Sequence, residues 1–107
     1  MAKRNDLPKP IIISPLAKED IKNILLWLSE NWPQNTTDEF LQKLEMFNSI
    51  ISIRPQVFGY YNKQKNIRKF AITKQNTIYY RNKREAIEII TIFDSRQDPV
   101  KLKKILK

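Results

Sequence analysis

The feature that most constrains this chain is a pair of apolar stripes at helical spacing, one directly after the other. Ala17, Ile21, Ile24, Leu25, Leu28 and Trp32 recur along one face of a first helix. Phe40, Leu44, Phe47 and Ile51 recur along a second, widened by Leu41 and Ile50. Little but a short polar stretch separates the stripes, so the spacing predicts a helical hairpin over about residues 15–32 and 36–53. Its ends carry the matching chemistry. Ser14 suits an N-cap, Pro15 the first helical position, and Glu19 and Asp20 the positive end of the helix dipole. Trp32-Pro33 closes the first helix, because a residue before proline avoids helical geometry. Thr36 and Glu39 stand at capping-box spacing for the second, which stops near Arg54-Pro55.

The rest of the chain supplies the surface such a hairpin needs to cover. Ile11-Ile12-Ile13 reads as a short buried strand ahead of it. After it, strands are expected at 66–73, 77–82 and 86–94, joined by polar turns at Lys74-Gln75-Asn76 and Asn82-Lys83-Arg84-Glu85. The last strand is apolar on both faces, which places it inside the sheet. The predicted class is therefore α+β: an N-terminal strand, the helical hairpin on one sheet face, then an antiparallel three-stranded meander. Residues 1–8 read as a flexible tail and 9–107 as one domain, with a short basic helix from Val100 to Leu106.

Composition narrows the chemistry. The chain has no cysteine and no histidine, which removes thiolate and imidazole ligands and imidazole acid–base catalysis. No metal site and no cofactor are expected. No apolar run reaches the length of a membrane span or a signal peptide, so the cytoplasm is the expected compartment and no membrane partner is expected. The net charge is +9 and unevenly placed. Residues 1–59 hold seven Lys/Arg against seven Asp/Glu, whereas residues 60–107 hold thirteen against four. An excess confined to one half points to an anionic partner, namely nucleic acid, ribosome or acidic protein, although a solvated surface would look the same. The candidate contacts are Arg68, Lys69, Lys74, Arg81, Lys83, Arg84 and Arg96. By strand alternation Arg68 shares a face with Phe70 and Ile72, and Arg81 with Thr77 and Tyr79. Phe58, Tyr60 and Tyr61 lie among Arg54, Lys63 and Lys65, a composition for stacking on bases or for closing the rim of a small core. Trp27 and Trp32 read as packing.

The order of elements, with several local pieces, resembles the RelE/ParE toxin family of type II toxin–antitoxin systems over roughly residues 9–99. The pieces are Ser14-Pro15-Leu16-Ala17 with Asp20-Ile21, Phe40 to Leu44, Arg54-Pro55 to Gly59, Ile67-Arg68, Asn76 to Arg81, and Ile89 to Phe93 running into Ser95-Arg96-Gln97-Asp98-Pro99. The resemblance implies a toxin neutralised by a cognate antitoxin. It also implies one of two actions: RelE-like, metal-independent cleavage of mRNA on the ribosome, or ParE-like inhibition of DNA gyrase. Thr77 stands where the RelE-like pattern has an arginine, and no His or Tyr follows the fourth strand, where Asp94 and Ser95 stand. These departures favour the ParE-like action. Arg68, Arg81 and Arg96 remain the candidate catalytic residues for the other, and a non-toxic nucleic-acid-binding module is the reading from a different class. The antitoxin is expected as an acidic segment that crosses the hairpin at Phe40, Leu41, Phe47, Ile50 and Ile51 and reaches the basic sheet.

Overall fold

A computed structural model of the chain describes residues 8–107; apart from Pro8, the tail expected at 1–8 lies outside the described residues. Eight elements follow in order: β1 (Ile11–Ile13), α1 (Pro15–Asn31), α2 (Gln34–Ile53), β2 (Tyr60–Asn62), β3 (Ile67–Ala71), β4 (Asn76–Asn82), β5 (Ile87–Asp94) and α3 (Pro99–Ile105). The strands form one sheet in the order β1-β5-β4-β3-β2. β1 runs parallel to β5, with Ile11 opposite Ile87 and Ile13 opposite Ile89, and the remaining neighbours are antiparallel. The α+β class holds, and β5 sits inside the sheet as its two apolar faces require. The meander, however, has four strands rather than three. Tyr60–Asn62 adds an edge strand with Tyr60 opposite Arg68.

The hairpin forms because both stripes find the same sheet face. Phe40, Leu44, Phe47 and Ile51 of α2 pack with Ile72, Ile78, Tyr80, Ile87, Ile89 and Ile92, while Ala17, Ile24 and Leu28 of α1 close the other side. Phe47 is the centre of an aromatic group, 5.3 Å from Phe70, 5.8 Å from Phe58 and 5.6 Å from Tyr80 between ring centroids. On the opposite face α3 lays Leu102 and Leu106 over Ile67, Tyr79 and Phe93. A bulge in the β4–β5 ladder, where Tyr79 faces Thr91 and Tyr80 faces Ile89, leaves Ile90 unpaired between them. No described helix is long and apolar enough to cross a membrane.

Two cap assignments resolve differently. Ser14 does cap α1: its Oγ accepts from Ala17 N at 3.0 Å and donates to the Ile90 carbonyl at 2.6 Å, tying the helix start to β5. The capping box at Thr36 does not form, because α2 already begins at Gln34 behind Pro33, whose φ of −59° is helix-ready. Thr36 therefore lies inside the first turn, its amide bonded to the Pro33 carbonyl. Glu19 and Asp20 lie past the first turn of α1. Asp20 instead anchors the helix to the sheet. Its Oδ2 accepts from Thr91 Oγ1 at 2.5 Å and from Ile92 N at 3.0 Å, which pins α1 to β5.

Candidate functional site

Metal-free cleavage of RNA requires a base, cations for the developing charge and an acid, all within reach of one phosphate. The three candidate arginines are in three places. Arg68 lies on the hairpin face of β3, opposite Tyr80. Its Nη1 donates to the Gln56 carbonyl at 3.0 Å and to the Phe58 carbonyl at 2.6 Å, and its guanidinium lies 3.9 Å over the Tyr60 ring. It thus clamps the loop that leads from α2 to β2. Arg81 lies on the other face, in alternation with Tyr79, and donates Nε to the Lys65 carbonyl at 3.1 Å. Arg96, in the turn after β5, forks onto Asp94, with Nη2 2.6 Å from Oδ2. That hydrogen bond holds the Asp94 carboxyl below its ordinary value and pushes Arg96 above its own. The arginines are held by their neighbours and do not converge.

The tyrosines follow the same pattern. Tyr80 is buried, its hydroxyl donates to the Pro55 carbonyl at 2.8 Å, and burial pushes the phenol up to about 12. Burial raises Tyr79 as well, with Tyr61 adding to the shift. Both keep their protons at neutral pH. Among the described residues no three His, Cys, Asp or Glu stand together as a metal site would require.

The expected antitoxin contacts need correction. Phe40, Phe47 and Ile51 are core, buried against the sheet, and Phe58 and Phe70 stack beside Phe47. Of the five residues, Leu41 at 42% and Ile50 at 37% are the exposed ones. The open apolar surface of α2 is instead a second stripe, Met46, Ile50 and Ile53, and Val57 and Tyr60, which follow the helix in the chain, are exposed as well. Its i, i+4, i+7 spacing is present in the sequence, offset from the core stripe. Trp27 and Trp32 also differ from expectation. They are exposed at 45% and 53%, and line a cleft of about 410 Å³ where the hairpin tip overhangs the ends of β4 and β5. Ile24, Leu28, Phe40 and Ile92 contribute apolar lining, with Glu39, Lys43, Asp94 and Arg96 the charged part.

The anionic-partner candidates divide similarly. Lys69 and Arg81 share the α3 side of the sheet, Lys83 pairs with Glu88 at 3.2 Å, and Lys74 and Arg84 occupy turns. The lysines of α3 join the first group. They were visible as a basic terminal run, but their placement over the sheet needed the buried Leu102 and Leu106.

Comparison with known proteins agrees with this architecture. The sequence model of the ParE toxin of the type II toxin–antitoxin system, parDE, matches residues 11–99. No curated protein matches in sequence. Among solved structures, a chain of the chromosomal ParDE TA system from P. aeruginosa is similar in fold, with a TM-score of 0.66. The match covers 84% of this chain and 97% of that one at 13% identity.

Proposed function

The chain belongs to the ParE toxin family of type II toxin–antitoxin systems, and from that premise we propose that it arrests growth by acting on DNA gyrase until a cognate antitoxin covers it. The observation that carries the choice of target is the separation of Arg68, Arg81 and Arg96. A nuclease needs these groups around one phosphate, whereas an inhibitor that works by binding needs only a surface. Gyrase as target places the protein's work in the cytoplasm. The antitoxin is proposed to lie along the outer side of the hairpin, on Met46, Ile50 and Ile53, because exposed apolar residues grouped on one face favour a protein partner.

Induced expression, followed by supercoiling and translation assays with purified protein, tests the proposal. Supercoiling by gyrase is expected to fail while ribosomes continue to translate full-length mRNA. Cleaved mRNA with normal supercoiling would establish the RelE-like action instead. Replacing Met46 and Ile50 with Asp is expected to weaken antitoxin binding by about tenfold or more. Unchanged affinity would move the antitoxin off this face.

A further inference from the structure

Charge divides this molecule by side as well as by sequence. Helices α1 and α2 carry three lysines and six carboxylates, whereas residues 54–107 carry fourteen Lys/Arg and four carboxylates. Three of those four carboxylates are engaged. Glu88 faces Lys83, Asp94 holds Arg96, and Asp98 caps α3 by accepting from Val100 N. Little negative charge is left there to offset the cations.

Several of these cations share one surface. Lys69 and Arg81 alternate with Ile67 and Tyr79, the residues beneath α3, so they point to the α3 side. Arg81 is opposite Ile67, which makes Lys69 its diagonal neighbour at about 7–8 Å. The bond from Arg81 Nε to the Lys65 carbonyl fixes its guanidinium beside the β2–β3 turn. α3 turns Leu102 and Leu106 inward, leaving Lys101, Lys103, Lys104 and Lys107 exposed.

What accompanies the cations selects the partner. On the α3 side the large exposed apolar residues among the described ones are Val100 and Ile12, which alternates with the hairpin-facing Ile11 and Ile13; the others lie on the hairpin, the loop after it and β2. Protein interfaces have an apolar centre and are poor in lysine, which this side reverses. Proteins that hold single strands stack bases on open aromatic rings. Here Tyr61 and Tyr79 are packed edge to face, 5.2 Å apart, against the α3 residues. Cations that outnumber the exposed apolar residues beside them, with no open stacking ring, match a regular phosphate backbone. We infer that the α3 side of the sheet binds the phosphodiester backbone of double-stranded nucleic acid without reading its sequence. This surface is separate from the hairpin stripe proposed for the antitoxin, and the inference does not depend on gyrase as target.

Fluorescence anisotropy with the full chain tests it, using a short labelled DNA duplex of arbitrary sequence across a salt series. The logarithm of affinity is expected to fall linearly with the logarithm of salt, with a slope of roughly −4, or about four to five phosphates. Changing Lys101, Lys103, Lys104 and Lys107 together to Gln is expected to cost about tenfold or more and to flatten that slope. Lys18→Gln with Lys22→Gln on α1 serves as the control and should leave affinity unchanged. Circular dichroism and melting verify that each variant folds. Lys69→Gln with Arg81→Gln repeats the test should the α3 variant melt early. An RNA duplex of the same sequence reports which source of backbone is preferred. No saturable binding at low salt would overturn the inference. So would equal loss in the α1 control, or tighter binding of a single strand or of polyglutamate than of either duplex.

Discussion

The two faces of the sheet are covered by very different amounts of protein. On one, the 17 residues of α1 and 20 of α2 bury an aromatic group and a row of isoleucines. On the other, the seven residues of α3 and Leu106 just after it close a cluster of five buried apolar side chains, counting Leu102 and Leu106. Polar bonds repeat the contrast, since Ser14 and Asp20 both lock α1 to β5. The outward surfaces differ in the opposite sense. The heavily packed hairpin shows water its carboxylates and apolar residues, while the thin α3 layer shows lysines. Stability is concentrated on one side of the sheet and positive charge on the other, so substitutions should separate the two.

The strongest way to break this comparison is to remove one core residue from each face. Phe47→Ala takes away a ring packed against three others, and a loss of about 3–5 kcal/mol is expected. Leu102→Ala opens a site that a short terminal helix can partly close, so its cost should lie near the lower end for such changes, about 2 kcal/mol. Urea unfolding measures both. Equal losses would mean that α3 is as integral to the fold as the hairpin.

Asp20 sharpens the contrast within one helix. Asp20→Ala leaves Thr91 Oγ1 and Ile92 N without their acceptor, and about 2 kcal/mol should be lost. Glu19→Ala, one position earlier and exposed, should change stability by less than about 0.5 kcal/mol. Similar values for the two would show that the bond to β5 adds nothing beyond a surface charge.

Much of this fold is legible in the residues alone. The hairpin is readable because each stripe persists over several turns, and β3 to β5 because polar turns separate them. β2 is not: Tyr60-Tyr61-Asn62 is too short to show alternation, and it exists as a strand through pairing with β3. The core role of Phe47 depends on Phe58 and Phe70, so from the sequence it looked as available to a partner as Ile50. The arginines were hardest to read. The acceptors of Arg68 and Arg81 are main-chain carbonyls of Gln56, Phe58 and Lys65, ten to sixteen positions away, and periodicity carries no trace of such bonds.

Arg68→Lys tests that clamp with a smaller effect. Lysine keeps the charge but cannot reproduce the flat guanidinium whose Nη1 meets two carbonyls while its plane lies over Tyr60. A loss of about 1 kcal/mol is expected. Faster amide exchange in the 54–60 loop should accompany it, while exchange in β5 is preserved. Faster exchange throughout the sheet would instead make Arg68 a core residue of the hairpin face.

The smallest effect belongs to the turn after β5, where Asp94 and Arg96 face each other at the surface. The hydrogen bond from Arg96 depresses the Asp94 carboxyl below its ordinary 3.8, with burial opposing. A carboxyl depressed in the folded state stabilises it fully above the unfolded value, and that contribution disappears as pH falls through the lower folded value. Arg96 is raised, so its share is present at every pH below its ordinary, strongly basic value and is lost only beyond that. The pair should therefore leave stability flat across neutral pH and steepen its fall below about pH 4. Arg96→Gln should remove that extra acid slope, and Asp94→Asn should remove it equally. The double variant should add nothing further, because both groups act through the same bond. Arg96 is exposed, so raised salt should shrink the effect, whereas the Asp20 anchor should hardly respond. An acid limb unchanged in Arg96→Gln would mean that water, rather than Asp94, is the partner of this guanidinium.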